Sequence, residues 1–309
     1  MGTVFRIVLY APDSTTGSRA ATAAFKRVSA LNRMMTDYDP DSELMRLCKQ
    51  PVGVPVRVSR DLFDVIEKSQ KLARLSEGAF DITVGSLVRL WRTARRMHTL
   101  PAPEAIVAAK RRVGWRNLKL DPARKTVTLL APDMQLDLGG IAKGYAADAA
   151  LAVLRQRGIR SAFVAASGDI AIGDAPPGMT GWKMGIGSPA GDDKLAATVL
   201  LRNAAISTSG DIEQFVDIGG TRYSHVVDPQ TGLGLTSRLQ ASFIARNATT
   251  TDALATALCV LGEQRALKLI ESLPDTAALL VKPGPNGNEI IPSRRFEKLR
   301  PPAPSPPKK

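Results

Sequence analysis

The stretch DLGGIAKGYAAD at 137–148 constrains the fold more than any other part of the chain. The apolar run at 134–138 predicts a strand, and the alanine-rich amphipathic segment after the glycines predicts a helix that Gly158 stops. Between them stands Gly139-Gly140, where the missing side chains let the backbone approach a ligand closely. The unpaired N–H groups of the helix start and the charge of Lys143 favour an anion there, with phosphate the best fit. Junctions of this kind also arise from packing alone. Neither G-x-x-x-x-G-K-[ST] nor G-x-G-x-x-G fits, so the motif does not define a nucleotide site by itself.

With 309 residues, 44% of them hydrophobic, the chain can bury a large core. No apolar run reaches the roughly 20 residues a membrane helix needs, and residues 1–35 hold no charged-then-apolar signal stretch. Cys48 and Cys259 have neither disulfide-framework nor metal-knuckle spacing, and helix-like apolar surroundings predict buried free thiols. The net charge of +13 is local: residues 89–125 carry eleven Lys/Arg against Glu104 and Asp121, and residues 294–309 carry six against Glu297. The first segment predicts a solvated basic face, apart from the Gly-Gly motif, that suits anionic lipid or an acidic partner. Nucleic acid is not expected, because aromatics make up only 5% and no nucleic-acid motif accompanies the charge.

Residues 4–10 alternate like a strand, 18–35 have helical spacing, and Asp41 or Ser42 can cap a short helix ending at Cys48. A strand at 54–58 leads to a helix capped by Ser59 and stopped by Gly78. In GAFDITVGSLVRLW, Phe80, Ile82 and Val84 suggest one apolar side, with Asp81 and Thr83 opposite. A basic helix at 101–112 and a hairpin around DPARK precede the Gly-Gly motif. Beyond residue 160 the strands are short, at 162–166, 182–186, 196–201, 204–207, 216–218, 222–227 and 239–245, with Gly219-Gly220 as a hairpin turn. Helices at 249–261 and 264–272 and strands at 277–281 and 289–291 follow. This order predicts an α+β fold with mainly antiparallel sheet. No linker or repeat interrupts 1–300, read as one catalytic domain with room for two subdomains, while 301–309 forms an unpacked Pro/Lys tail.

Only two histidines exist, which removes most His-rich metal and triad schemes. His98 lies in the basic segment as a solvated side chain; His225 ends a strand before a Pro-Gly turn, a common place for functional groups, though a structural role fits as well. Asp252 and Thr256 are four apart on a helix and share a face. Their hard oxygens suit Mg²⁺, which keeps waters and takes its remaining ligands from substrate phosphate. Helix capping by TTTD is the plain alternative.

GAFDITVGSLVRLW, DLGGIAKGYAAD, SGDIAIG, STSGDIEQF, YSHVVDPQTG and TDALATAL follow one another in the order found in the ApbE-type flavin transferases, the FAD:protein FMN transferases. The chain resembles that family from MGT at Met1 to about Leu261. The resemblance implies an ApbE-like, T-fold-like architecture with its active site in a cleft. Tyr38 would cover the isoalloxazine, and Met1, Ala79, Phe80, Asp81, Asp137, Lys143 and Val226 would contact FAD. Mg²⁺ would sit on the Gly140 carbonyl with Asp252 and Thr256, and His225 would be the catalytic base. The implied reaction moves FMN from FAD to a Thr or Ser hydroxyl of an acceptor protein and releases AMP. An FAD pyrophosphatase and a non-catalytic flavin carrier are the alternatives. The family resemblance suggests the periplasm or the outer face of the inner membrane, with peripheral attachment open and the cytoplasm not excluded. Two departures stand out: Gly234 where the family often has proline, and Ser167 where it usually has glycine.

Overall fold

The computed structural model describes residues 2–187, 195–210, 214–284 and 287–301. Strand β1 (Phe5–Leu9) leads to helix α1 (Ser14–Met35), which begins before the expected residue 18. The cause is a cap: Asp13 Oδ1 accepts from the Thr16 N–H at 2.8 Å. Ser42 and Ser59 cap α2 (Glu43–Cys48) and α3 (Arg60–Leu75) in the same way, on either side of the brief β2 (Val56–Arg57). After α4 (Gly85–Met97) and α5 (Pro103–Lys110), β3 (Leu118–Asp121) and β4 (Thr126–Leu129) pair with β2 in a small antiparallel sheet.

The expected strand at 134–138 is a correction. Met134, Leu136 and Leu138 are buried, so the alternation is real. The only pairing assigned there, however, is a bridge between Val84 and Gln135, because its neighbour turns at once into α4. The alternation read in 79–84 likewise gives no strand: Phe80 and Ile82 are buried as expected, but so are Asp81 and Thr83.

The larger sheet follows α6 (Ala142–Gln156) and collects β5 (Ala162–Ala166), β6 (Asp169–Ile172), β9 (Ala205–Ser209), β12 (Gln240–Ala245), β13 (Ala277–Gly284) and β14 (Gly287–Pro292). The order is β1-β5-β6-β9-β12-β13-β14, and every neighbouring pair is antiparallel. One face packs under α6 and α7 (Ala248–Ser272), with Ala241, Phe243 and Ala245 meeting Leu254 and Ala257. The other lies against the hairpin of β7 (Trp182–Gly187) and β8 (Leu195–Leu201), where Ile244, Leu279 and Val281 meet Met184 and Val199. Covering both faces buries all six residues of β12; sealing Phe243 from water contributes roughly 1.5–3 kcal/mol.

A smaller core joins α4 and α5 to the hairpin of β10 (Phe215–Ile218) and β11 (Thr221–Ser224) through Trp91, Ala109 and Val216. The helices expected at 249–261 and 264–272 form one run that breaks at Gly262, whose φ of 72° only glycine adopts readily. Cys48 and Cys259 are buried free thiols, and among the described residues no helix is long and apolar enough to cross a membrane.

Candidate active site

Helices α6 and α7 cap each other. Asp252 of α7 accepts from the Gly144 N–H near the start of α6 at 2.9 Å. Asp148 of α6 accepts from the Ala248 and Thr249 N–H groups at the start of α7, each at 2.8 Å, and from the Thr249 hydroxyl at 2.6 Å. Each carboxylate meets the free N–H groups and positive dipole end of the other helix. The capping of α7 therefore falls to Asp148 and to Asn247, leaving Asp252 for the site.

Lys143 stands where these helix starts meet β6. Its Nζ lies 3.0 Å from Asp252 Oδ1 and 2.9 Å from Asp169 Oδ2, and it donates to the Gly139 carbonyl at 3.1 Å. Burial alone would depress the ammonium, but Asp252 and Asp169 hold it above its ordinary value. Two carboxylates share one cation, so one is under-compensated: Asp252, only 1% exposed, is pushed up to about 7 by burial and by Asp169, against the pull of Lys143. Asp169 belongs to SGDIAIG and was not assigned a role from sequence; the signal was its carboxylate directly after Gly168 at a strand start.

Gly140 meets this group from the turn side. A Cβ built on it would stand 3.4 Å from Thr256 Oγ1 and 3.3 Å from Phe80 Cε2, so the turn, α7 and the AFD segment meet here. Thr256 Oγ1 donates to the Asp252 carbonyl at 3.2 Å and lies 3.3 Å from Ser209 Oγ.

Asp137 opens a second line of contacts. Its Oδ1 accepts from the Gly139 N–H at 2.7 Å, which sets the turn, and its Oδ2 pairs with Arg92 at 3.0 Å. Burial, then Asp37, raise its pKa against Arg92. Arg92 also pairs with Asp37 and lies over the Tyr38 ring, 4.5 Å from its centroid. The basic segment 89–125 thus reaches the Gly-Gly turn, which corrects its reading as a solvated face apart from that motif. Leu87, Trp91 and Ala94 mark the buried stripe of α4, and Arg92 and Arg95 flank it.

Asp81 holds its own loop. Its Oδ1 accepts from the Thr83 N–H and hydroxyl at 2.8 and 2.7 Å, and its Oδ2 from the Trp115 N–H at 2.9 Å. Ala79 and Phe80 are buried beside it, and Met1 lies outside the described residues.

His225 follows β11 on the α4 side. Its Nδ1 is 3.0 Å from the Gln214 carbonyl, which can only accept, so Nδ1 carries a hydrogen. The next turn fixes the loop: Asp228 Oδ1 accepts from the Gln230 N–H at 2.8 Å, and Trp91 Nε1 donates to the Gly232 carbonyl at 2.9 Å. Val226 is buried, and its N–H donates to Ser224 Oγ at 3.1 Å. A Cβ at Gly234 would lie 2.7 Å from the Ser224 carbonyl oxygen, so this loop closes too tightly for a proline there. Ser167, in the tight turn between β5 and β6, has φ of 55°, the conformation that makes glycine the usual choice.

Among the described residues no three His, Cys, Asp or Glu side chains are grouped to hold a metal. Asp252 and Thr256 Oγ1, beside the Gly140 turn, still form a set of hard oxygens. With Lys143 balancing one of two carboxylates, that set suits a Mg²⁺ completed by phosphate and water.

Fold and site together define an α+β protein that directs a phosphate-friendly glycine turn and a shared lysine at one point. The chain belongs to the ApbE family, whose model matches residues 1–280. It is 33% identical to the FAD:protein FMN transferase of Treponema pallidum over 299 residues, covering 92% of this chain and 83% of that one. Against the Haemophilus influenzae protein of the same name identity is 31%, covering 97% and 89%. The solved flavin transferase ApbE from Vibrio cholerae superposes with a TM-score of 0.85 at 30% identity, covering 97% of this chain and 96% of that one. The ApbE protein of Thermotoga maritima gives 0.86 at 31%, with the same coverage.

Proposed function

We propose that this protein transfers FMN from FAD to a Thr or Ser hydroxyl of an acceptor protein, in a Mg²⁺-dependent reaction that releases AMP. The observation that carries this reading is the convergence of Gly140, Lys143, Asp169, Asp252 and Thr256 on one point. A pyrophosphate suits such a point together with a divalent cation, because Asp169 and Asp252 outnumber Lys143 there. The names of the ApbE relatives supply FAD and a protein acceptor.

In this reading Tyr38 covers the flavin, while Ala79, Phe80 and Val226 form the apolar lining. Asp137 fixes the Gly139 N–H and so the turn. Asp81 acts through its loop, since both its oxygens are engaged there. Lys143 places positive charge against the phosphates. Bound on Gly140, Asp252 and Thr256, Mg²⁺ would neutralise phosphate charge and orient the group for in-line displacement. His225 Nε2 accepts the acceptor hydroxyl proton, a contribution of roughly 10²–10⁴-fold. The new bond joins the hydroxyl oxygen to the FMN-side phosphorus as the bond to AMP breaks.

The test incubates the protein with FAD and Mg²⁺, with and without an acceptor domain. A mass gain on the acceptor equal to FMN, with one AMP per transfer and loss in Asp252→Ala and His225→Ala, is expected. Free FMN formed equally without acceptor would instead make the protein an FAD pyrophosphatase.

A further inference from the structure

Arg95 stands one turn beyond Arg92 on α4, and its position differs in kind. Arg92 is neutralised by Asp37 and Asp137. Arg95 makes no ion pair among the described residues; its Nη1 donates to the amide oxygen Oε1 of Gln214 at 3.0 Å. The same residue's backbone carbonyl accepts from both the His225 N–H and His225 Nδ1, each at 3.0 Å. A guanidinium, half-buried and beside a like charge, is therefore held one residue away from the imidazole. Burial first, and Arg92 second, make its protonated form less favourable than usual, although its neighbour Tyr38 opposes this. Among the described residues no carboxylate pairs with this cation, and an anionic ligand would supply that counter-ion.

We infer that Arg95 is an anion-binding residue of this site, taking a phosphate oxygen of the nucleotide beside His225, with Gln214 aiming the guanidinium until the nucleotide arrives. This rests on the nucleotide-transfer reading above. The guanidinium offers paired N–H donors that match a phosphate, and it would accompany charge that grows on the phosphoryl oxygens as the acceptor hydroxyl loses its proton. Asp37 and Asp137, engaged by Arg92, do not compete for it.

The test compares FAD with riboflavin, the same ring system without phosphate, by quenching of flavin fluorescence on titration with protein. Arg95→Gln should weaken FAD about 10-fold or more and leave riboflavin unchanged, and Arg95→Lys should recover part of the loss. Gln214→Ala removes the side-chain tether but keeps the carbonyl that holds His225; it should retain the preference for FAD. An equal loss of both flavins in Arg95→Gln, or no loss of FAD, would overturn the inference. So would a Gln214→Ala variant that matches Arg95→Gln, since Arg95 would then merely brace the loop. A wild-type protein that binds FAD no better than riboflavin would defeat the nucleotide reading itself, a failure visible before any variant is made.

Discussion

Replacing Gly144 with alanine tests the reciprocal capping of α6 and α7. Helix propensity alone predicts stabilisation of about 1 kcal/mol, because glycine is a poor helix former. The packing predicts the opposite sign. A Cβ on Gly144 would lie 2.0 Å from the Ala248 carbonyl oxygen and 2.9 Å from Asp252 Cβ. Tolerable carbon–oxygen contacts begin near about 3.3 Å, so the helices must part by about 1.3 Å (3.3 minus 2.0) at this point. The Gly144-to-Asp252 bond of 2.9 Å would be stretched past useful length, and the three bonds to Asp148 would be strained with it. Overpacking typically costs about 1–3 kcal/mol, and weakening hydrogen bonds to buried carboxylates adds roughly 1–3 kcal/mol. Gly144→Ala should therefore lose about 1–5 kcal/mol net of propensity.

Urea denaturation at neutral pH reads the change as a lower midpoint with an unaltered slope. FAD titration of the folded variant should show weaker binding, since Asp252 and Thr256 move with α7. A midpoint equal to or above that of the wild type would refute the claim that this glycine permits the helix contact.

Ser167→Gly removes a left-handed serine; relief of about 1–2 kcal/mol, less the extra chain entropy of glycine of about 0.5–1 kcal/mol, should raise stability by roughly 0.5–1 kcal/mol in the same urea assay. Burial would raise the Asp61 carboxyl, but hydrogen bonds from Arg27 and Tyr145 outweigh it and hold it below its ordinary value. Its stabilisation is thus present above the unfolded pKa near 3.9 and lost as pH falls through the lower folded value; Asp61→Asn should cost about 1 kcal/mol at pH 7, with the gap closing in acid, and a gap constant from pH 7 to 3 would contradict the assignment. Asp252 has the opposite sign: its folded pKa of about 7 makes its ionisation subtract stability as pH rises from about 4 to 7. Asp169→Asn removes the repulsion and leaves Lys143 to Asp252, so the decline in urea midpoint over that range should be shallower than in the wild type.

The antiparallel α+β architecture was legible because short apolar runs such as 162–166 and 277–281 follow one another with turns between them, and in the fold their successive residues alternate between two covered faces. The run at 134–138 alternates equally well and is not a strand, since ladder partners are a tertiary property that alternation cannot report. At the site, the four-residue spacing of Asp252 and Thr256 placed both on one face, and the glycine pair marked the turn beside them. What stayed hidden were groups whose role depends on another element. Asp148 looks like one more acid on a helix until the start of α7 arrives against it. Arg92 and Arg95 sit among the other basic residues of α4, and only their places beside Leu87, Trp91 and Ala94 distinguish them from the solvated Arg96.

That distinction changes how the net charge should be understood. An excess of +9 over 89–125 invites a search for an external anionic surface. Yet Arg92 is already engaged by two carboxylates that order Tyr38 and the Gly-Gly turn, and Arg95 is held beside His225. Charge that reads as surface in a linear count is therefore partly internal wiring: α4 carries it from the loop that holds His225 to the Gly139-Gly140 turn. A helix with its buried stripe clamped by Trp91 and Gly232 can hold those two guanidinium groups in fixed register, which loops of the same composition could not.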